Sequence, residues 1–111
     1  MIRNRTRNTT IATTVEIAND PGASMKGLLG RREFPQGEAL IIRHCQSIHM
    51  FFMKFPIDAI FCNDQDKVVG LCKDIKPFHL SPIFFKALYV IELPTGTITT
   101  SNTQIGDQVE I

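Results

Sequence analysis

Apolar and β-branched residues recur at a spacing of two in "TTIATTVEIA" (9–18). Ile11, Thr13, Val15 and Ile17 fall on one face there, which predicts a strand. The pattern then changes. In "NDPGASMKGLLGR" (19–31) Asp20 and Pro21 suit an N-cap and a first helical residue. Met25, Leu28 and Leu29 follow at helical spacing, Gly30 can close the turn, and Arg31 and Arg32 suit its negative end. This predicts one short helix near residues 21–30, weakened by Gly27. Further strands are expected at "EALIIRHC", at "IDAIFCN" and "KVVGLCK" about the turn "DQD", at "KALYVIELP", and at the final "GDQVEI". "SIHMFFMKF" is apolar without a clear period. "KPFHLSPIFF", with two prolines, reads as an ordered loop, and "TGTITTSNTQIG" as a turn-rich connection.

Six or seven short strands and one helix make a mainly β chain. A small β-sandwich or a partly closed barrel is the economical way to bury them, with the helix over an open edge. There is no repeat and no Ser/Gly linker, so residues 10–111 are expected to form a single domain. Residues 1–9 contain Arg3, Arg5 and Arg7 and read as a flexible, solvated basic segment.

The strongest chemical signal is a carboxylate in an apolar stretch. Asp58 lies in "PIDAIF"; on a strand it shares a face with Ile60 and Cys62, while Ile57, Ala59 and Phe61 share the other. A buried carboxylate needs a cation or several backbone donors. Backbone N–H groups near the bend at Pro56, Arg31 or Lys54 are the expected partners, anchoring the segment that precedes Asp58; a ligand-facing or acid/base role is the alternative. Glu92, in "LYVIELP", can also point inward. The two carboxylates could share a polar pocket, or each could be satisfied separately; the second is the favoured expectation.

Other constellations are weaker. If "HCQSIHMFFM" were extended, Cys45, His49 and Met53 would share a face, a soft-metal set. Without a C-x-x-C or H-x-x-x-H spacing, no metal site is expected. Cys45 or Cys72 with a histidine could form a nucleophile pair, but Cys62 and Cys72 lie in apolar strands and read as inert. Numbering about a turn at Gln65 sets Cys62 opposite Val68 and Cys72 opposite Asp58, so no bond between the two cysteines is expected. No phosphate-cradling loop precedes a helix, and no cofactor is expected.

Composition narrows the functional classes. The 111 residues carry a formal net charge of +1, which argues against general nucleic-acid or membrane-surface binding. Three cysteines cannot form a complete disulfide framework, and no apolar run follows the basic N-terminus as in a signal peptide. A cytoplasmic location is therefore expected. The sequence sets no oligomeric state.

Taken together, "GLLGR", "IHMFFMKFPIDAIFCNDQDKVVG", "YVIELPTG" and "IGDQVEI" make the chain resemble domain-of-unknown-function family 192 (DUF192) over about residues 10–111. The resemblance implies a small β-rich, sandwich-like domain and no assigned activity. Arg31, Met53, Asp58, Glu92, Gly106 and Asp107 match recurrent family positions. His49 stands where many members carry Trp, and "GLLGR" replaces a more usual "GLM" form. Arg31, His49, Met53, Asp58 and Glu92 are thus the candidate pocket or binding residues. Two functions follow. One is a binding module for a small molecule or protein, through a polar pocket or an aromatic surface built from "HMFFMKF" and "FHLSPIFF". The other is a hydrolase-like or metal-assisted enzyme around Asp58, His49 and Arg31.

Overall fold

The computed structural model describes residues 1–19, 33–51 and 53–111. Among these, eight strands and one short helix follow in order: β1 (Ile2–Asn4), β2 (Thr9–Ala12), β3 (Thr14–Ala18), β4 (Glu38–Arg43), β5 (Ile57–Cys62), β6 (Val68–Ile75), β7 (Tyr89–Pro94), α1 (Thr97–Thr100) and β8 (Val109–Glu110). They form a three-stranded sheet, β2-β1-β8, and a five-stranded sheet, β3-β4-β7-β5-β6; neither closes into a barrel. Among the described strands only β3 and β4 pair in parallel. The helix expected near 21–30, with Arg31 at its end, lies outside the described residues. No described helix is long and apolar enough to cross a membrane.

The first core lies between the sheets. Ile2, Ile11 and Val109 of the small sheet meet Ile41, Ile60, Ile91 and Leu93 of the large one, with Ile98 of α1 closing one end. A second core lies on the opposite face of the large sheet: Leu40, Ile42, Ile57, Ala59, Phe61 and Val90 are covered by Ile48, Met50, Met53 and Ala87 from the loops. Core on both faces explains why every residue of β5 and β7 is buried.

Three expectations need correction. "TTIATTVEIA" is not one strand. At Thr13 the chain bends, with the N–H groups of Thr13 and Thr14 both donating to the Gly37 carbonyl (2.8 and 3.0 Å), and it passes from one sheet to the other. The period-two stripe breaks there: Ile11 is buried and Ile17 exposed. The N-terminal segment is also not free. Ile2 and Asn4 are fully buried in β1, and the arginines turn back onto the domain. Arg3 donates to Thr10 and Asn8, Arg5 lies 3.4 Å from Glu110, and Arg7 donates to Asp107 at 3.1 Å. Asn4 also donates to Asp107 (2.9 Å), as does the N–H of Gln104. Burial opposes ionisation of Asp107, but these donors outweigh it and hold its carboxyl below the usual range. Finally, the connection after β7 contains α1.

The β5–β6 hairpin keeps Cys62 opposite Val68, as expected, but Cys72 faces Ala59 rather than Asp58. Register shifts at both ends of the pair account for the slip of one. All three cysteines are free, including Cys62 and Cys72. Beside this hairpin, Gly70 makes room for the ring of Phe84, which also packs on Phe61 with centroids 4.5 Å apart. A Cβ at Gly70 would clash with the Phe84 ring. Gly70→Ala is therefore expected to cost about 1–3 kcal/mol through overpacking. An unchanged denaturation midpoint would show that the ring moves aside freely.

Candidate functional site

Two proline-bearing loops, the β4–β5 connection and the β6–β7 connection, run side by side as an irregular antiparallel ribbon. The Cys45 N–H donates to the Leu88 carbonyl (3.2 Å), the Phe84 N–H to Gln46 (2.8 Å), the Ser81 N–H to Ile48 (2.9 Å), and the Met50 N–H to His79 (2.9 Å). The Phe78 N–H returns to the Met50 carbonyl at 2.8 Å, and His49 bridges Leu80. Two side chains add links: Gln46 donates to the Phe85 carbonyl, and Ser81 Oγ accepts the Ile48 N–H, both at 2.8 Å. Pro56, Pro77 and Pro82 lack an N–H, which suits an irregular pairing rather than a regular ladder.

The ribbon divides its apolar residues. Cys45, Ile48, Met50, Met53 and Ala87 point into the second core. Phe51, Phe78, Leu80, Ile83, Phe85 and Leu88 are exposed, Leu80 by 66% and Phe85 by 79%. The backbone beneath them is hydrogen-bonded, so these side chains are displayed by an ordered surface. Phe78 holds a left-handed conformation (φ 65°), as does His44 (φ 57°) at the other end of the ribbon. That conformation is costly for a bulky residue and points to a backbone over-determined by its surroundings.

Hollows border the ribbon. One of about 480 Å³ is lined by His44, Cys45, Gln46, Ser47, Ala87 and Leu88. A second, of about 320 Å³, lies among Val69, Ile83, Phe84, Phe85 and Lys86. A third, of about 300 Å³, places Leu80 and His79 beside Lys73 and Lys76.

The two candidate carboxylates do not share a pocket. Asp58 lies opposite Leu93, whereas Glu92 lies opposite Ala59, so adjacent strands send them to opposite faces of the large sheet. Asp58 is 1% exposed, and its two oxygens accept the N–H groups of Asp74 (2.8 Å) and Ile98 (2.9 Å). Asp74 is left-handed (φ 52°) where the hairpin register shifts, and Ile98 is in the first turn of α1; neither N–H has a regular ladder or helix partner. Asp58 therefore ties β6 and α1 to β5. The donors are backbone groups, as one expected option had it, but they come from later segments rather than from the chain preceding Asp58.

Glu92 has the opposite environment. It is 7% exposed beside the second core, and no donor among the described residues bonds to it. Burial pushes its carboxyl up to about 8. Met53 is buried in that core, and His49 is exposed, its ring against Phe51 with centroids 5.1 Å apart. Cys45, His49 and Met53 thus do not share a face. The segment turns, with the Met53 N–H on the Met50 carbonyl, so a spacing of two does not apply. Arg31 lies outside the described residues.

Burial disfavours the thiolate form of all three cysteines. Burial pushes the Cys45 thiol up, against the bond that it donates to the Ser47 carbonyl (3.0 Å), and the charge of Glu92 adds to the rise. Burial raises Cys72 and pushes Cys62 up to about 12. All three are protonated near neutrality. Among the described residues no three His, Cys, Asp or Glu gather closely enough to hold a metal ion.

The sequence grouped the phenylalanines but did not sort them. Phe51, Phe78 and Phe85 face out, Phe61 is buried, and Phe34, Phe55 and Phe84 are partly buried. Leu80 and Ile83 lie within "FHLSPIFF", the stretch expected at the surface, though neither was singled out, and Leu88, read into a buried strand, is exposed. The signal that could have found them is the absence of carboxylates from both loops, which marks a face distinct from the rest of the surface.

Comparison with known proteins agrees with this architecture. The model of DUF192, described as Uncharacterized ACR, matches residues 2–111. A UPF0127 protein of Thermococcus sibiricus is 42% identical over 64 residues, 58% of this chain and 41% of that protein. A UPF0127 protein of Pyrococcus furiosus is 36% identical over 64 residues, 58% of this chain and 54% of that protein. The matches thus span about half the length of these relatives. A crystal structure of a protein of unknown function from Novosphingobium aromaticivorans superposes with a TM-score of 0.77 at 24% identity, over 87% of this chain and 74% of that one. The chain belongs to the DUF192 family.

Proposed function

We propose that this member of the DUF192 family is a binding module that docks a protein partner on its two-loop ribbon. One observation carries the reading: six large apolar side chains are displayed together on hydrogen-bonded backbone. Single exposed apolar residues are common, but a set concentrated on one pair of hydrogen-bonded loops favours an interaction surface. The neighbouring hollows are open and strung along the ribbon, which suits the side chains of a protein better than one enclosed small molecule. A reducing compartment, the cytoplasm on this reading, suits three unbridged thiols. The enzyme reading gains less support: both oxygens of Asp58 are already engaged, and His49 lies on the exposed ribbon.

A photo-crosslinking residue placed at Phe85 is expected to capture a partner in extracts of the protein's own cells, while the same residue at Gln65, on the hairpin turn, does not. The purified partner should then bind the chain, and Leu80→Ser should weaken that binding about tenfold or more, as expected of a central anchor. Leu80 is exposed, so the fold should not suffer. Equal labelling from both positions, or unchanged affinity in Leu80→Ser, would remove the ribbon as the docking face.

A further inference from the structure

Charge is segregated along this chain in a way that the net value of +1 hides. Residues 43–56 and 75–88, the two ribbon loops with their immediate flanks, carry four of the twelve Lys and Arg and all three His. They carry none of the eleven Asp and Glu. The remainder of the chain therefore holds eight basic against eleven acidic residues. Arg43, Lys54, Lys76 and Lys86 are all exposed. Lys76 lies 3.2 Å from Asp74; among the described residues no carboxylate pairs with Arg43, Lys54 or Lys86.

The lysines border the apolar hollows. Lys86 edges the hollow walled by Ile83 and Phe85, and Lys73 and Lys76 edge the one beside Leu80. The Ile83–Phe85 hollow thus has an apolar wall and a cationic rim, whereas Asp74 also lines the Leu80 hollow and pairs with Lys76, which leaves Lys73 as the cation there with no carboxylate partner among the described residues. We infer that the partner docked on the ribbon is an acidic protein segment, with apolar side chains filling the hollows and carboxylates set against Lys73 and Lys86.

The inference rests on the docking reading and adds the partner's chemistry. Opposite charge around an apolar contact steers encounter and fixes orientation. A second copy of this face would set cation against cation, which disfavours a symmetric dimer through it. Each hollow of about 300 Å³ has room for one or two side chains of a docked segment, and a flat anionic lipid surface would leave them unfilled.

The test is selection of a random peptide library on the immobilised full chain and, in parallel, on a Leu80→Ser/Phe85→Ser variant. Peptides enriched on the chain alone should combine Asp or Glu with Phe, Leu or Ile. Their affinity should fall with added salt and drop about tenfold or more in a Lys73→Glu/Lys86→Glu variant whose melting temperature is unchanged. Enrichment of neutral or basic peptides, or indifference to the charge reversal, would overturn the acidic partner and leave the docking face standing. Equal enrichment on the chain and on the apolar variant would overturn both. Sedimentation of the chain with phosphatidylserine vesicles but not with phosphatidylcholine vesicles, uncompeted by the selected peptides, would put a lipid surface in place of the acidic segment.

Discussion

Asp58→Ala is expected to lower the unfolding free energy by about 3–5 kcal/mol, read as a fall in the denaturation midpoint. Its carboxylate accepts two backbone N–H groups that have no regular secondary-structure partner, on Asp74 and Ile98. Removing the acceptor strands both donors in a region where Asp58 itself is 1% exposed, at roughly 1–3 kcal/mol for each orphaned group. Asp58→Asn should cost less, because its remaining oxygen still serves one donor while its amide opposes the other. The order Ala below Asn below parent is the specific outcome. If both variants melted with the parent, Asp58 would not be an anchor. If both folded normally but lost partner binding, its role would lie at a surface rather than in the core.

Much of this arrangement was legible in the sequence, and the rest was hidden for identifiable reasons. Strands β4 to β7 were recoverable because each is a short apolar run bounded by turn residues. Burial of Asp58 followed from apolar residues on both sides of it, and the need for donors followed from the energetics of a buried carboxylate, which left backbone N–H groups and a basic side chain, Arg31 or Lys54, as alternatives. Which donors could not be read, since the Asp74 N–H is freed by a register shift and the Ile98 N–H by a four-residue helix too short to show a period. The inward course of β1 was obscured because Arg3 and Arg5 flank buried Asn4 and dominate the local composition. The joint ribbon was obscured because hydrogen bonds between two irregular loops leave no periodic trace in either. That the carboxylates occupy opposite faces depended on strand pairing: Glu92 opposite Ala59 places it away from Asp58.

That opposition has a measurable consequence in the pH dependence of stability, where Glu92 is expected to dominate the neutral-to-alkaline limb. Burial raises its carboxyl from an ordinary value of 4.5 to about 8 in the folded chain. Below 4.5 the group is protonated in both states and its contribution is fully present. As pH rises from there to about 8, the unfolded chain releases the proton while the folded chain retains it, so stability is lost across that window. At about 1.4 kcal/mol for each unit of difference, the loss is on the order of 4 kcal/mol by pH 8. Asp107 acts with the opposite sign. Its carboxyl is held low by Arg7, Asn4 and Gln104, so its contribution is present above its unfolded value and is lost as pH falls through its folded one. Parent stability should therefore decline on both sides of a mildly acidic maximum. Glu92→Gln keeps the shape and removes the ionisation. It should match the parent near pH 4, exceed it by several kcal/mol near pH 8, and leave the acid limb unchanged. Denaturant titrations of both proteins at a series of pH values would decide the matter. Parallel curves would mean that the Glu92 carboxylate is ionised in the folded chain and is paired there after all.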